Sequence, residues 1–193
     1  MAKDIALFNI LTNNLMSVAR EMSADFLRSA YSVVIREAAD CSTFLADAKG
    51  RILAQPQDQP LHMNSVSRAL TGALSKIDAT NLTEDDAIIL NDPYSGGQHL
   101  SDIYIFSPIV HDGKLVAFAG TTGHHADLGH SAGFNLYARD IFEERFRFCP
   151  MVFHVSSSTQ GRWVLAYAGE TSTCIGGRVK ICPPTKRCAR ACA

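Results

Sequence analysis

No run of about 18 apolar residues occurs anywhere in the 193-residue chain, which argues against a membrane-spanning helix. A dominant charge is missing as well. The 18 Lys+Arg stand against 19 Asp+Glu for a net charge of -1, so the chain has no overall basic field with which to grip nucleic acid or an anionic membrane. Its first residues, MAKDIALFNILTNN, lack the basic head, long apolar stretch and small-residue cleavage site of a secretory signal, and the expected location is the cytoplasm. Charged residues are few (19%) and apolar ones plentiful (47%), which excludes a disordered chain or a coiled coil and suits one globular domain.

Cysteine is nearly absent from most of the chain. Cys41 stands alone until Cys149, after which Cys174, Cys182, Cys188 and Cys192 crowd the end. Charge changes over the same region: from Ser156 onward there are six basic residues and one acidic, leaving 12 basic and 18 acidic before it. These shifts divide the sequence into residues 1–150 and a Cys-rich basic tail, 151–193. The tail spacing, Cys-x7-Cys-x5-Cys-x3-Cys, lacks the paired knuckles of a zinc module apart from its last pair. A disulfide framework would need an oxidising compartment. The remaining reading is that the tail does not continue the frame of the sequence before it.

Within residues 1–150 the hydrophobic pattern predicts an α+β fold. Leu11, Leu15, Val18, Met22, Phe26, Ala30 and Val34 recur at spacings of three and four, which predicts one helix over residues 5–37. Cys41–Asp47 and Arg51–Ala54 read as a short hairpin about Ala48-Lys-Gly50, and residues 64–78 as a second helix with Val66, Leu70, Leu74 and Ile77 on one face. Asp85–Leu90 reads as a buried strand emptying into Asn91-Asp-Pro-Tyr-Ser-Gly-Gly97, which is turn chemistry throughout. Two further strands, 103–110 and 115–122, flank Asp112-Gly113. Mixed helices and hairpins favour α+β over a wound parallel sheet.

That last hairpin makes a contact prediction. A two-residue loop at Asp112-Gly113 pairs Asp102 with Gly123, and a three-residue loop with Gly113 left-handed pairs Asp102 with His124. Cross-strand neighbours lie about 5 Å apart, so either register brings His99 and Asp102 beside His124 and His125. Imidazole with carboxylate suits Zn²⁺, Mn²⁺ or Fe²⁺, and three protein ligands leave positions open for water or substrate. His99, Asp102 and His124 are therefore the candidate metal ligands. The same residues also fit loop histidines that meet only water. His125 and Asp127 fit either groups that orient the ligands or polar surface residues. His62, His111 and His154 stand alone and read as structural or solvated.

Two other motifs carry less. Gly129-His-Ser-Ala-Gly133 matches the nucleophile elbow of α/β-hydrolases, but no apolar strand precedes it and only His154 follows it. Gly96-Gly97 lacks the lysine and serine or threonine of a phosphate loop.

The ordered set of segments resembles the hydantoinase B / 5-oxoprolinase family, which is similar to the large subunits of acetone and acetophenone carboxylases. The resemblance lies in Asn91–Asp102, Asp112–Phe118, Gly123-His-His-Ala-Asp127 and Ala138–Glu144, and upstream in Ser42–Asp47 and Leu61-His-Met-Asn-Ser65. It covers roughly residues 10–150, the N-terminal portion of a longer domain. It departs from the family pattern at Arg145, Cys149 and His130. The resemblance implies ATP-dependent hydrolysis of a five-membered cyclic amide, hydantoin or 5-oxoproline, beside a hydantoinase A-type subunit that holds ATP and Mg. It implies a divalent metal on His99, Asp102 and His124, the set the hairpin also produces, with Asp127 and Asp92 as weaker candidates for proton transfer. The alternatives are a fragment of an acetone/acetophenone carboxylase-type subunit and a truncated remnant without catalytic activity.

Overall fold

The computed structural model describes residues 2–126, 137–144 and 146–154, and their fold is α+β. Helix α1 (Ala2–Ser29) leads through a short α2 (Val33–Arg36) into strands β1 (Cys41–Asp47) and β2 (Ile52–Ala54). Helix α3 (His62–Leu74), β3 (Asp86–Leu90), β4 (Asp102–His111), β5 (Lys114–His124), α4 (Ile141–Glu144) and β6 (Met151–His154) follow. The six strands form one antiparallel sheet in the order β2-β1-β5-β4-β3-β6. The sheet thus runs to His154, past residue 150, where the sequence changes character.

Side-chain alternation splits the sheet into two covered faces. On one, Phe44, Ala46, Ile88, Leu90, Tyr104, Phe106 and Phe118 pack with Val66, Ala69, Leu70 and Ala73 of α3. On the other, Leu45 packs with Ala19, Leu15, Met16 and Met22 of α1. Cys41 packs with Phe26, Ala30 and Ile35. Burial on both sides explains why β1 is nearly continuous in buried residues.

The long N-terminal helix is shorter than the periodicity predicts. It stops at Ser29, whose hydroxyl donates to the Phe26 carbonyl at 3.0 Å and so offers that backbone a local alternative to the helix ladder. The β-branched run Val33-Val34-Ile35 gives only the four-residue α2, with Ile35 buried. The buried face of α1 is also rotated: it centres on Ala19, Ser23 and Phe26, while Leu11 and Val18 are exposed. Helix α3 begins two residues before its predicted start and ends at Leu74, short of residue 78. The loop after β3 holds one short 3-10 turn, Pro93–Ser95.

The β4–β5 hairpin contains both anticipated registers. Asp112 (φ 49°) and Gly113 (φ 70°) make a two-residue turn in the left-handed region, and next to it His111 faces Lys114 and Val110 faces Leu115. A bulge then takes up Val116, so that Ile109 faces Ala117 and Asp102 faces His124. Sliding a strand by one residue turns its side chains to the opposite face. The bulge therefore puts His124 on the same face as Asp102.

In the centre of the α3 face, Phe44 and Phe106 meet edge to face at 5.7 Å across Gly120. A Cβ at Gly120 would stand 2.1 Å from the Phe44 ring. Gly120→Ala is expected to destabilise the fold by about 1–3 kcal/mol through overpacking, read as a lower urea midpoint. At the other edge, Asp86 accepts from the Thr83 N–H and hydroxyl, both at 2.8 Å, and lies 3.1 Å from His154 Nδ1 of β6. Burial pushes the Asp86 carboxyl up, but the Thr83 hydrogen bonds and His154 outweigh it and hold it below the usual range. A lowered folded value means stability that is present in full above the unfolded pKa, about 3.9, and lost as pH falls through the folded one. Asp86→Asn should flatten the acid limb of a stability-versus-pH curve, and an unchanged limb would remove this carboxylate from the account.

Candidate metal centre

The site forms where β1, β5 and β4 end side by side. The register places Ser42, Thr122 and Tyr104 in one cross-strand row on the α3 face. One row further out, Asp102 faces His124, whose N–H donates to the carbonyl of Asp40 at 3.0 Å. Moving outward along the strands, the face thus passes from phenylalanine to hydroxyls to imidazole and carboxylate. Burial pushes the Tyr104 phenol up to about 12, so this row stays neutral at physiological pH.

His99 arrives from the loop after β3, and Asn91 shapes that loop. The buried Asn91 amide donates to the carbonyls of Leu100 at 2.7 Å and Phe146 at 2.9 Å, and its oxygen accepts from the Phe148 N–H at 2.6 Å. Leu100 is fully buried and acts as the anchor beside His99. Gly96 (φ 99°) closes the 3-10 turn in the left-handed region, against the backbone of Arg68 in α3. The Asp102 N–H then donates to the His99 carbonyl at 3.1 Å, folding the His-x-x-Asp segment so that both side chains converge.

The predicted trio comes together. Asp102 Oδ1 lies 2.9 Å from His99 Nε2 and 3.3 Å from His124 Nδ1. One ligand atom from each of the three residues falls within 4.8 Å of the others. A tetrahedral ion with ligands about 2.0–2.2 Å away needs them roughly 3.4 Å apart, so small adjustments suffice. Neither Asp102 oxygen has a hydrogen-bond partner of good geometry among the described residues, although the carboxylate is 1% exposed. A buried carboxylate whose Oδ1 stands beside two imidazole nitrogens without an aligned hydrogen bond from either has the character of a cation site. The donor set fits a borderline divalent ion, and Asp40, with Oδ2 3.8 Å from His124 Nδ1, adds a second negative charge at the rim. His99 is the most exposed of the trio, at 33%, so the site opens to solvent on its side.

The electrostatics agree. Burial pushes the Asp102 carboxyl up, yet His124, His62 and His99 around it outweigh that and hold it far below the ordinary carboxylate range. Burial pulls the His99 imidazole down, and contact with Asp102 more than restores it to a raised value.

The other candidates fall elsewhere or serve other roles. Asp92 turns into its own loop. It accepts from the Tyr94 N–H at 3.1 Å and from the Ser95 hydroxyl, with Lys76 Nζ at 4.0 Å and Arg147 Nε at 3.9 Å. His125 Nδ1 donates to the Gly123 carbonyl at 2.9 Å, and its N–H ties the end of β5 to the Ser101 carbonyl at 2.8 Å. Asp127, the Gly129–Gly133 motif and the four tail cysteines from Cys174 onward lie outside the described residues. Burial, with Asp58 and Asp40 nearby, pushes the Cys41 thiol up to about 12, so it is no nucleophile. His111 is exposed beside Asp112, and His154 pairs with Asp86 at the far edge.

Sequence reasoning missed His62 and Asp40. His62 is 2% exposed, and its Nε2 stands 3.6 Å from Asp102 Oδ2 and 3.8 Å from Asp40 Oδ1. No spacing signal links residue 62 to residue 102, because the packing of α3 on the sheet makes that contact. Asp40 precedes β1 directly, and its alignment with His124 follows only from the β1–β5 register.

His124→Ala should abolish one-to-one uptake of Zn²⁺ or Co²⁺, measured by titration calorimetry, while far-ultraviolet circular dichroism stays unchanged. Retained metal would sink the ligand set. Uptake should weaken as pH falls, because His99 must give up a proton that Asp102 helps it hold.

Known proteins share this sequence and this fold. The profile of the Hydantoinase B/oxoprolinase family matches residues 4–169. The chain is 33% identical over 126 residues to 5-oxoprolinase 1 of Arabidopsis thaliana, covering 65% of this chain and 10% of that protein. It is 30% identical over 144 residues to the beta subunit of caprolactamase from Pseudomonas jessenii, covering 74% of this chain and 25% of that one. The crystal structure of the ATP-dependent caprolactamase from Pseudomonas jessenii superposes with a TM-score of 0.67 at 25% identity, over 79% of this chain and 27% of that one. Nucleotide-free acetone carboxylase shares the fold, with a TM-score of 0.61 at 21% identity over 67% of this chain and 17% of that one. The chain spans about a tenth of the length of the curated 5-oxoprolinases it matches. With its profile match running from the first helix to past the last described strand, the chain belongs to the hydantoinase B/oxoprolinase family.

Proposed function

We propose that this chain carries the metal-binding portion of a hydantoinase B/oxoprolinase-type enzyme that opens a five-membered cyclic amide, hydantoin or 5-oxoproline, with ATP bound by a hydantoinase A-type partner. The observation that carries this reading is the convergence of His99, Asp102 and His124 at adjoining strand ends, within a chain of this family. Two relatives, one described as the beta subunit of a caprolactamase and one as a D-/L-hydantoinase subunit, support a multi-subunit setting. A cytoplasmic location is part of the same proposal. Among the described residues no helix is long and apolar enough to cross a membrane.

His99, Asp102 and His124 would hold the ion, and a divalent cation there would polarise a carbonyl oxygen or acidify a bound water. The residues themselves divide the work. Asp102 supplies buried negative charge on a rigid strand, His124 is set beside it by the β4–β5 register, and His99 faces solvent, where a substrate can approach. Asp92 organises the loop that delivers His99, and Asp127 is the proposed proton-transfer group.

The test is co-purification with a hydantoinase A-type subunit, then ATP turnover with 5-oxoproline or hydantoin. Expected is amide-dependent ATP hydrolysis that His99→Ala reduces by at least about 100-fold, the size of effect seen when a charge-stabilising group is removed. Turnover indifferent to His99, or elicited only by a ketone with bicarbonate, would reject the hydrolase reading.

A further inference from the structure

His62 is the least exposed imidazole of the site, and its surroundings define its role. Its Nδ1 lies 3.0 Å from the hydroxyl of Ser42, which is fully buried on β1. Its Nε2 faces two carboxylates, Asp102 Oδ2 at 3.6 Å and Asp40 Oδ1 at 3.8 Å. The two oxygens of Asp102 are thus divided between neighbours: Oδ1 looks to His99 and His124, and Oδ2 looks to His62.

The tautomer follows from hydrogen-bond accounting. A buried hydroxyl hydrogen left unpaired is costly, and among the described residues the side-chain partner of Ser42 Oγ is His62 Nδ1. In the neutral ring the Ser42 O–H therefore donates to Nδ1, which puts the ring hydrogen on Nε2. A nitrogen that carries hydrogen cannot coordinate a metal, but it can donate to a carboxylate.

We propose that His62 is a positioning residue: held by Ser42, it turns its Nε2–H toward Asp102 Oδ2 and Asp40 Oδ1 and so commits Asp102 Oδ1 to the metal. The proposal rests on the metal reading above and deepens it. Helix α3 supplies the rigidity, since Val66, Ala69, Leu70 and Ala73 bury its next turns against the sheet and leave His62 in its first turn over the strand ends. Groups that orient metal ligands in this way typically contribute about 10- to 100-fold in affinity.

The experiment is Co²⁺ titration of the 193-residue chain, followed by calorimetry and by the visible absorption of the bound ion. His62→Phe keeps a ring without the donor, and His62→Gln keeps an N–H near the place of Nε2. Expected are a loss of about 10- to 100-fold in Co²⁺ affinity with an altered visible spectrum in His62→Phe, and near-normal affinity and spectrum in His62→Gln. Ser42→Ala, which leaves the ring in place but frees its tautomer, should give a smaller loss in the same direction and serves if His62→Phe does not fold. Wild-type affinity and spectrum in both His62→Phe and Ser42→Ala would overturn the proposal while leaving the metal site standing. Equal loss in His62→Gln and His62→Phe would overturn it in favour of His62 as a direct ligand. Failure of the unaltered chain to take up Co²⁺ would overturn the metal reading and this proposal together.

Discussion

A carboxylate that is almost wholly buried, with no aligned hydrogen-bond donor on either oxygen, is an expensive thing to place at the end of a strand. Asp102 is in that position, and much of the surrounding architecture serves it. Three imidazoles from three separate parts of the chain stand around it, and their proximity keeps it ionised despite burial. Two of the rings and one carboxylate oxygen are spaced as ligands of a single ion, while the third ring holds the other oxygen's side. The polar demand of this one group accounts for the three imidazoles gathered around it.

The fold meets that demand by layering. One face of the sheet grades along β1, β5 and β4 from an aromatic row, Phe44 and Phe106 across Gly120, to a hydroxyl row, and then to the charged row at the rim. The apolar rows bind α3 to the sheet, and α3 in turn carries His62 over the rim. The opposite face is covered by α1 behind β1 and β2 and by Phe148, Met151 and Phe153 behind β3 and β4, so these strands are buried on both sides. Precision at the site is therefore a by-product of packing several residues away from it. Asn91 extends the same logic to a loop, since its amide hydrogen-bonds segments that a turn alone would leave mobile.

The chain belongs to the hydantoinase B/oxoprolinase family and shares its fold with caprolactamase and acetone carboxylase. The two solved relatives, named for different substrates, share the same strand-and-helix frame. This chain overlaps about a quarter or less of the length of those proteins.

Local pattern alone determined a good part of this protein. Alternating and three-to-four spacings marked the elements, Asp112-Gly113 marked the hairpin, and hairpin geometry brought His99, Asp102 and His124 to one edge. Those features depend on contacts between residues close in sequence, where spacing is a direct measure of distance. Other features were decided only by tertiary structure. The choice of register fell to a bulge at Val116, which turned His124 to the face of Asp102. The rotation of the buried face of α1 followed from packing on β1 and β2. Asp40 and His62 joined the site through a strand pairing and a helix-on-sheet contact, both spanning many residues. Such contacts depend on which apolar surfaces find each other, a non-directional force that leaves no fixed spacing in the chain to read.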